Sequence, residues 1–225
     1  TQGVSSAASD VYKRQGLFDY VSKNNFEKVL VGLSGGIDSA LTATIAVDAL
    51  GSNNVIGVAL PSKYNTEESL VDAKSLAKNL DIEFKVIEIE EMVNIFRNTL
   101  SESVNEELGQ TTDENIQSRV RGNILMALSN QTGAMVVSTG NKSEMAVGYS
   151  TLYGDLAGGF ALLKDLYKTE VYNLANFRNS ISSVIPQNTI DKEPSAELRP
   201  DQFDKDSLPE YELLDDILRL SLIHI

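Results

Sequence analysis

The chain contains no cysteine. That excludes disulfides, thiolate metal sites and a cysteine nucleophile, and it suits an intracellular protein. Long apolar runs are missing too, so nothing reaches the length of a membrane span. The N-terminus also lacks the basic-then-apolar pattern of a secretion signal, and a cytoplasmic location is expected. Histidine is down to His224, in the last five residues, and carries no hypothesis. Positive charge is scarce: 19 Lys and Arg stand against 32 Asp and Glu, a net charge of −13. The chain as a whole therefore repels nucleic acid and anionic membranes, and neither is expected as a partner. It repels polyphosphates as well, so any nucleotide site must bring its own cations, as Lys, Arg or bound Mg²⁺. What is present is enough for one core, since 42% of the 225 residues are hydrophobic.

The most informative stretch is VLVGLSGGIDSALTATIAVDAL, residues 29–50. Val29 to Leu33 is short and β-branched, the pattern of a buried strand. After the glycines, Leu41, Ile45 and Ala49 fall at helical spacing. Gly35 and Gly36 thus stand where a strand turns into a helix, a place where backbone N–H groups point outward at the positive end of the helix dipole. Such a turn suits an anion, phosphate first, although a glycine-rich turn can also serve packing alone. This one lacks the lysine of GxxxxGK[ST] and the third glycine of GxGxxG. It offers instead two hydroxyls and a carboxylate: Ser34, Ser39 and Asp38.

Further along, apolar runs at 55–60, 82–89 and 134–139 read as strands. Segments 66–80, 92–100 and 114–129 read as helices, the first with Thr66 as N-cap. Strands alternating with helices predict an α/β fold, a doubly wound parallel sheet flanked by helices. Ligands on such sheets bind at the carboxyl ends of strands, so the loops 32–39, 62–66 and 139–144 are expected to open on one rim. Residues 181–208 hold Pro186, Pro194 and Pro200 without periodicity, and read as a long ordered loop or lid. SSAASDVYKRQ near the start and SLIHI at the end resemble translated sequencing-adapter sequence. Residues 1–16 are therefore expected to be a non-native or disordered leader and 219–225 a non-native tail, around a domain at 17–218.

Two further stretches carry chemistry. Residues 136–172 place Thr139 at a strand end, then Glu144, then Asp155, then Lys168 at the start of a helix. Each alone reads as a surface residue, but together they put a hydroxyl, two carboxylates and an ammonium on the expected rim. In NIQSRVRGNILMALSN, Ile116, Val120, Leu125 and Leu128 cover a core face. Asn115 and Arg119, four residues apart, share another face, which serves a ligand or is a solvated polar stripe.

Ser-Gly-Gly-x-Asp-Ser after a first strand resembles the pyrophosphate loop of the ATP pyrophosphatase superfamily, whose members split ATP between its α- and β-phosphates. The order SGGIDSA, ALPSKYNTEES, NIQSRVRGNILMALSN, STGNKSEMAVGYSTLYGDLAGGFALLKD, EPSAELRPDQFDKDSLPEYELLD is similar to the synthetase domain of NAD⁺ synthetases, closest to the glutamine-dependent kind. The resemblance covers about residues 17–218. It implies a ligase that adenylates the nicotinate carboxylate of deamido-NAD⁺ with ATP and lets ammonia displace AMP. It further implies that Gly32, Leu33, Ser34, Gly35, Gly36, Ile37, Asp38 and Ser39 hold ATP, with Thr139, Lys168 and Ser195 as further contacts. Asp38 and Glu144 match Mg²⁺ ligands, and Asn115, Arg119 and Glu144 match contacts to deamido-NAD⁺. Asp155 matches the acid that binds ammonium and takes its proton, and Lys168 acts beside it in catalysis. The family's C-terminal basic segment and its glutaminase domain are expected to be missing from this chain, which leaves free ammonia as nitrogen donor; a homo-oligomer is also expected. The alternatives are another amidating member of the superfamily, such as a GMP synthetase-like enzyme, and a nucleotide-binding module without turnover. GNKSEMAVGY and YGDLAGGF speak against the first, and the joint presence of Glu144, Asp155 and Lys168 against the second.

Overall fold

The β-branched run after Lys28 is a strand, β1 (Val29–Gly32), whose first three residues are fully buried. The computed structural model describes residues 5–223; His224 and residues 1–4 lie outside the described residues. Four more strands join β1: β2 (Val55–Ala59), β3 (Glu83–Val86), β4 (Met135–Ser138) and β5 (Phe160–Ala161). All pairings are parallel, in the order β3-β2-β1-β4-β5. The helices are α1 (Ser6–Lys23), α2 (Ile37–Leu50), α3 (Glu67–Asn79), α4 (Glu90–Val104), α5 (Gln110–Thr132), α6 (Lys142–Val147), α7 (Lys168–Ile181), α8 (Gln187–Asp191) and α9 (Tyr211–Ile223). The doubly wound α/β reading therefore holds, and the flanking helices give the sheet two cores.

The period of two along each strand divides those cores. Val29, Val31, Met135 and Val137 face one cluster, with Leu17 of α1, Leu41 and Ile45 of α2, and Val171 and Leu174 of α7. Leu30, Ile56, Val58 and Val136 face the other, with Val93 of α4 and Ile116 and Val120 of α5. Among the described residues no helix is long and apolar enough to cross a membrane.

Several expected boundaries shift. Within the 1–16 leader, expected to be non-native or disordered, the chain is helical from Ser6, and the same helix reaches the core beyond the leader through Leu17 and Val21. Ser5 caps it, its hydroxyl accepting from the Ala8 N–H. Residues 219–223 of the expected tail continue α9. The 82–89 strand shortens to Glu83–Val86 at the sheet edge, where Glu83 and Val86 are exposed and Phe84 and Lys85 half-buried. The 181–208 segment is ordered and carries α8 and a 3₁₀ turn at Asp204–Asp206. The short α6 and β5 lie inside the 136–172 stretch and carry too few residues for a periodic signal.

One contact fixes the geometry of the later site. The 151–155 loop crosses α5 with backbone against backbone: a Cβ on Gly122 would meet the carbonyl oxygens of Tyr153 and Gly154 at 2.7 and 2.8 Å. A Cβ on Gly154 would meet the Ser118 hydroxyl at 2.2 Å. Only glycine fits at either place.

Candidate functional site

The chain reverses its winding between β1 and β4, so the crevice beyond their carboxyl ends is the expected ligand site. A cavity of about 600 Å³ opens there. It is lined by the loops after β1, β2 and β4, by α5, by the 148–157 loop and by residues 192–204. Of the residues predicted from sequence, Gly32, Leu33, Ser34, Gly36, Ile37, Asp38, Ser39, Asn115, Thr139, Glu144, Asp155, Lys168 and Ser195 line it. Gly35 and Arg119 do not line it. Gly35 has φ +86° and its Cα sits against the Ser69 backbone, where a Cβ would fall 2.3 Å from the carbonyl oxygen. It shapes the loop rather than facing the cavity. Arg119 is exposed, and its Nε donates to the Leu152 carbonyl, which draws it to the outer rim.

The loop after β1 is held open by its own hydroxyls. The Ser34 N–H donates to the Ser39 hydroxyl at 3.3 Å, and the Gly36 N–H donates to the Ser34 hydroxyl at 3.2 Å. The Ser39 hydroxyl donates in turn to the Gly36 carbonyl. These bonds preform the concave N-terminus of α2, a shape suited to phosphate oxygens.

Beside it lies a charged cluster. Lys168, 3% exposed, donates from Nζ to Asp38 Oδ2 at 2.6 Å and to Glu144 Oε1 at 3.0 Å. Burial works against the ammonium, but Asp38 and Glu144 outweigh it and hold Lys168 well above the usual lysine range. For Glu144 burial wins: with Asp38 adding to it and Lys168 opposing, the carboxyl rises to about 7. Fully buried Asn141 completes the cluster, its amide donating to Asp38 Oδ1 at 2.8 Å while its oxygen accepts from the Glu144 N–H as cap of α6. Asn141 was not singled out from sequence, though Asn-x-x-Glu is a helix-start signature that marks it.

The wall formed by α5 is held differently. Asp155 Oδ1 accepts from the Ser118 hydroxyl at 2.9 Å and from the Thr151 N–H at 2.8 Å, both neutral, leaving Oδ2 for a ligand. Asn115 Oδ1 accepts from the Thr151 hydroxyl at 2.8 Å. Arg121, which sequence spacing passed over in favour of Arg119, lines the cavity. It donates to the Leu60 carbonyl at 2.9 Å and to Asn65 Oδ1 at 3.0 Å. Burial pushes its guanidinium down to about 10, with Glu197 pulling back. The Ser195 hydroxyl is occupied within its own segment: it donates to the Gln202 carbonyl and accepts from the Glu197 N–H. Glu197 ties that segment to the loop before α3 through Asn65 at 2.8 Å and to α3 itself through Ser69 at 2.5 Å, and Lys192 donates to the Ser69 hydroxyl at 2.7 Å. None of these long-range partners has a local signal in the sequence.

The sequence model of the NAD synthase family matches residues 11–224. The chain belongs to the NAD synthase family. A glutamine-dependent NAD(+) synthetase of Aquifex aeolicus is 57% identical over 204 residues, a match that spans 91% of this chain and 36% of that protein. The chain thus covers about a third of the length of the curated relatives it matches. Among solved structures, a glutamine-dependent NAD+ synthetase from Acinetobacter baumannii in complex with ADP superposes with a TM-score of 0.82 at 45% identity, over 95% of this chain and 38% of that one. NMN synthetase from Francisella tularensis superposes with 0.87 at 31% identity, over 96% and 87%. The fold is accordingly the ATP pyrophosphatase type shared by NAD synthases.

In this NAD synthase chain the cluster's charge bears on a metal. Asp38 and Glu144 share one ammonium, so one negative charge is in excess, and the raised Glu144 carboxyl shows that it is poorly accommodated. A divalent cation relieves such an excess. Among the described residues no group of three or more His, Cys, Asp or Glu is placed to cage a metal. Two carboxylates nevertheless suit Mg²⁺, which takes its other ligands from water and substrate phosphates.

Proposed function

We propose that the chain catalyses ATP-dependent amidation of deamido-NAD⁺ to NAD⁺ through an adenylated intermediate, releasing AMP and pyrophosphate, with ammonia as nitrogen donor. The observation that carries the reading is a single cavity that combines a preformed phosphate loop and a lysine-carboxylate cluster with a carboxylate held only by neutral donors. In the first half-reaction the nicotinate carboxylate attacks the α-phosphorus, and the bond to pyrophosphate breaks. The loop from Gly32 to Ser39 cradles the departing phosphates while Lys168 and Thr139 hold ATP in place. Mg²⁺ held by Asp38 and Glu144 would supply charge neutralisation on the phosphates. In the second, ammonia attacks the acyl carbon and AMP leaves. At neutral pH the donor arrives as ammonium, which has no free electron pair. Asp155 Oδ2 binds the cation and takes its proton, with Ser118 and Thr151 fixing Oδ1. Asn115 orients the dinucleotide.

ADP in the related A. baumannii structure supports adenine-nucleotide use. The similarity to NMN synthetase favours a second reading, amidation of the mononucleotide, at the same site. Exposed Ile95, Phe96, Leu100 and Val104 on α4 support the expected homo-oligomer.

The test is to incubate the chain with ATP, Mg²⁺, ammonium and either deamido-NAD⁺ or nicotinate mononucleotide. Amide product, AMP and pyrophosphate in equal amounts are expected. ADP and phosphate as primary products would overturn the proposal, and product from the mononucleotide alone would replace it by the second reading.

A further inference from the structure

We infer that Asp215, on α9 and outside the cavity, is a positioning residue that sets Lys168 and Glu144 by capping the helix that carries Lys168. The inference rests on the roles proposed above for those two side chains.

The argument starts from an unmet need. Helix α7 begins at Lys168, and its first N–H groups have no partners within the helix. Position 167, where Ser, Thr, Asp or Asn would serve as cap, is tyrosine. The missing acceptors come from elsewhere in the chain. Asp215 is fully buried, and its Oδ2 accepts from the Thr169 N–H at 2.9 Å and from the Thr169 hydroxyl at 2.7 Å. Its Oδ1 accepts from the hydroxyl of Ser143, also fully buried, and that hydroxyl accepts from the Lys168 N–H at 2.8 Å. One carboxylate therefore binds the first two residues of α7 and the second residue of α6, directly or through one hydroxyl. Lys168 stands at the first position of α7, and Glu144 follows Ser143 in α6. The same helix also seats Tyr211 under the ammonium, with Lys168 Nζ 5.2 Å from the ring centroid. A carboxylate at this helix N-terminus further gains from the dipole. Nothing here touches substrate space, since neither Asp215 nor Tyr211 lines the cavity.

The test compares Asp215→Asn and Asp215→Ala with Asp48→Asn. The control breaks the Arg178–Asp48 pair that holds the far end of the same helix. Two readouts are needed: amide-resolved hydrogen exchange, and kcat and KM with ATP, Mg²⁺, ammonium and deamido-NAD⁺. For both Asp215 variants we expect Lys168 and Thr169 amides to exchange faster while the distal half of α7 stays protected. We expect kcat to fall by about 10- to 100-fold, with KM for deamido-NAD⁺ within about twofold. Asp48→Asn should leave both constants unchanged. Equal loss of protection along all of α7, an unchanged kcat, or failure of both Asp215 variants to fold would make Asp215 a general fold determinant and overturn the inference. If the wild-type chain makes no NAD⁺, the proposed function fails, whereas hydrogen exchange and the affinity for Mg²⁺-ATP by calorimetry still decide the role of Asp215.

Discussion

Two walls of the cavity hold carboxylates by opposite means. Near the ends of β1 and β4, Asp38 and Glu144 are held by a cation, the buried Lys168. On the α5 side, Asp155 is held by a hydroxyl and a backbone N–H. Charge fixed by charge is already neutralised in part, so what that wall lacks is a partner for its one excess negative charge. Hydrogen bonds from neutral donors supply no counter-charge, so that wall has no cation beside Asp155 among its hydrogen-bond partners. Under the proposed function, the first wall suits metal and phosphate and the second suits ammonium.

The largest effect should come from breaking the first wall. Asp38→Asn removes a carboxylate that both Lys168 and Asn141 hold, and turnover should fall by roughly 100-fold or more. Because the residue faces a cavity, the circular dichroism spectrum should be unchanged. A near-normal rate at low millimolar Mg²⁺ would reduce Asp38 to a helix-terminal residue and erase the contrast.

Breaking the second wall should separate the half-reactions. Asp155→Asn keeps size and hydrogen bonding but loses the charge. NAD⁺ formation should slow by about 100-fold and require more ammonium, while pyrophosphate exchange into ATP survives in part. Equal loss of both half-reactions would place Asp155 with the phosphate wall.

The smallest effect sharpens the comparison through pH. Folding raises the Glu144 carboxyl from its ordinary 4.5 to about 7, so folding favours its neutral form. Its contribution to stability is complete below pH 4.5 and is lost as pH rises through about 7. Without ligands, wild type should therefore lose more stability between pH 5 and 8 than Glu144→Gln, by on the order of 1 kcal/mol in urea titrations. Identical pH slopes would show that burial does not raise the Glu144 carboxyl.

What could be read from the sequence was what its local rules encode. Strand-glycine-helix order at 29–50 gave the phosphate loop, and Thr66 caps α3 as expected, accepting from the Ser69 N–H. The residues that escaped are paired across the fold. Arg121 and Arg119 stand two apart in SRVR, and helical spacing to Asn115 points to Arg119 alone. Which arginine enters the cavity is decided by where α5 meets the Leu60 carbonyl, a tertiary fact. Asp215 has no signal either, because the Thr169 N–H it accepts from lies 46 residues earlier. The first half of α1 falls in the expected 1–16 leader, whereas Leu17 and Val21, at the start of the expected domain, lie in the core.

The close approach of Gly122 and Gly154 also bears on how the cavity can move. Backbones in direct contact have no side-chain rotamers between them to absorb a displacement, so the 151–155 loop and α5 travel as one rigid body. Adaptation to substrates of different size then falls to the other side, where residues 192–197 meet α3 through the side chains of Lys192 and Glu197. Under the proposed function, breathing of this cavity would be one-sided, with the acceptor's reacting end against the rigid wall and the rest of the ligand against the side that yields.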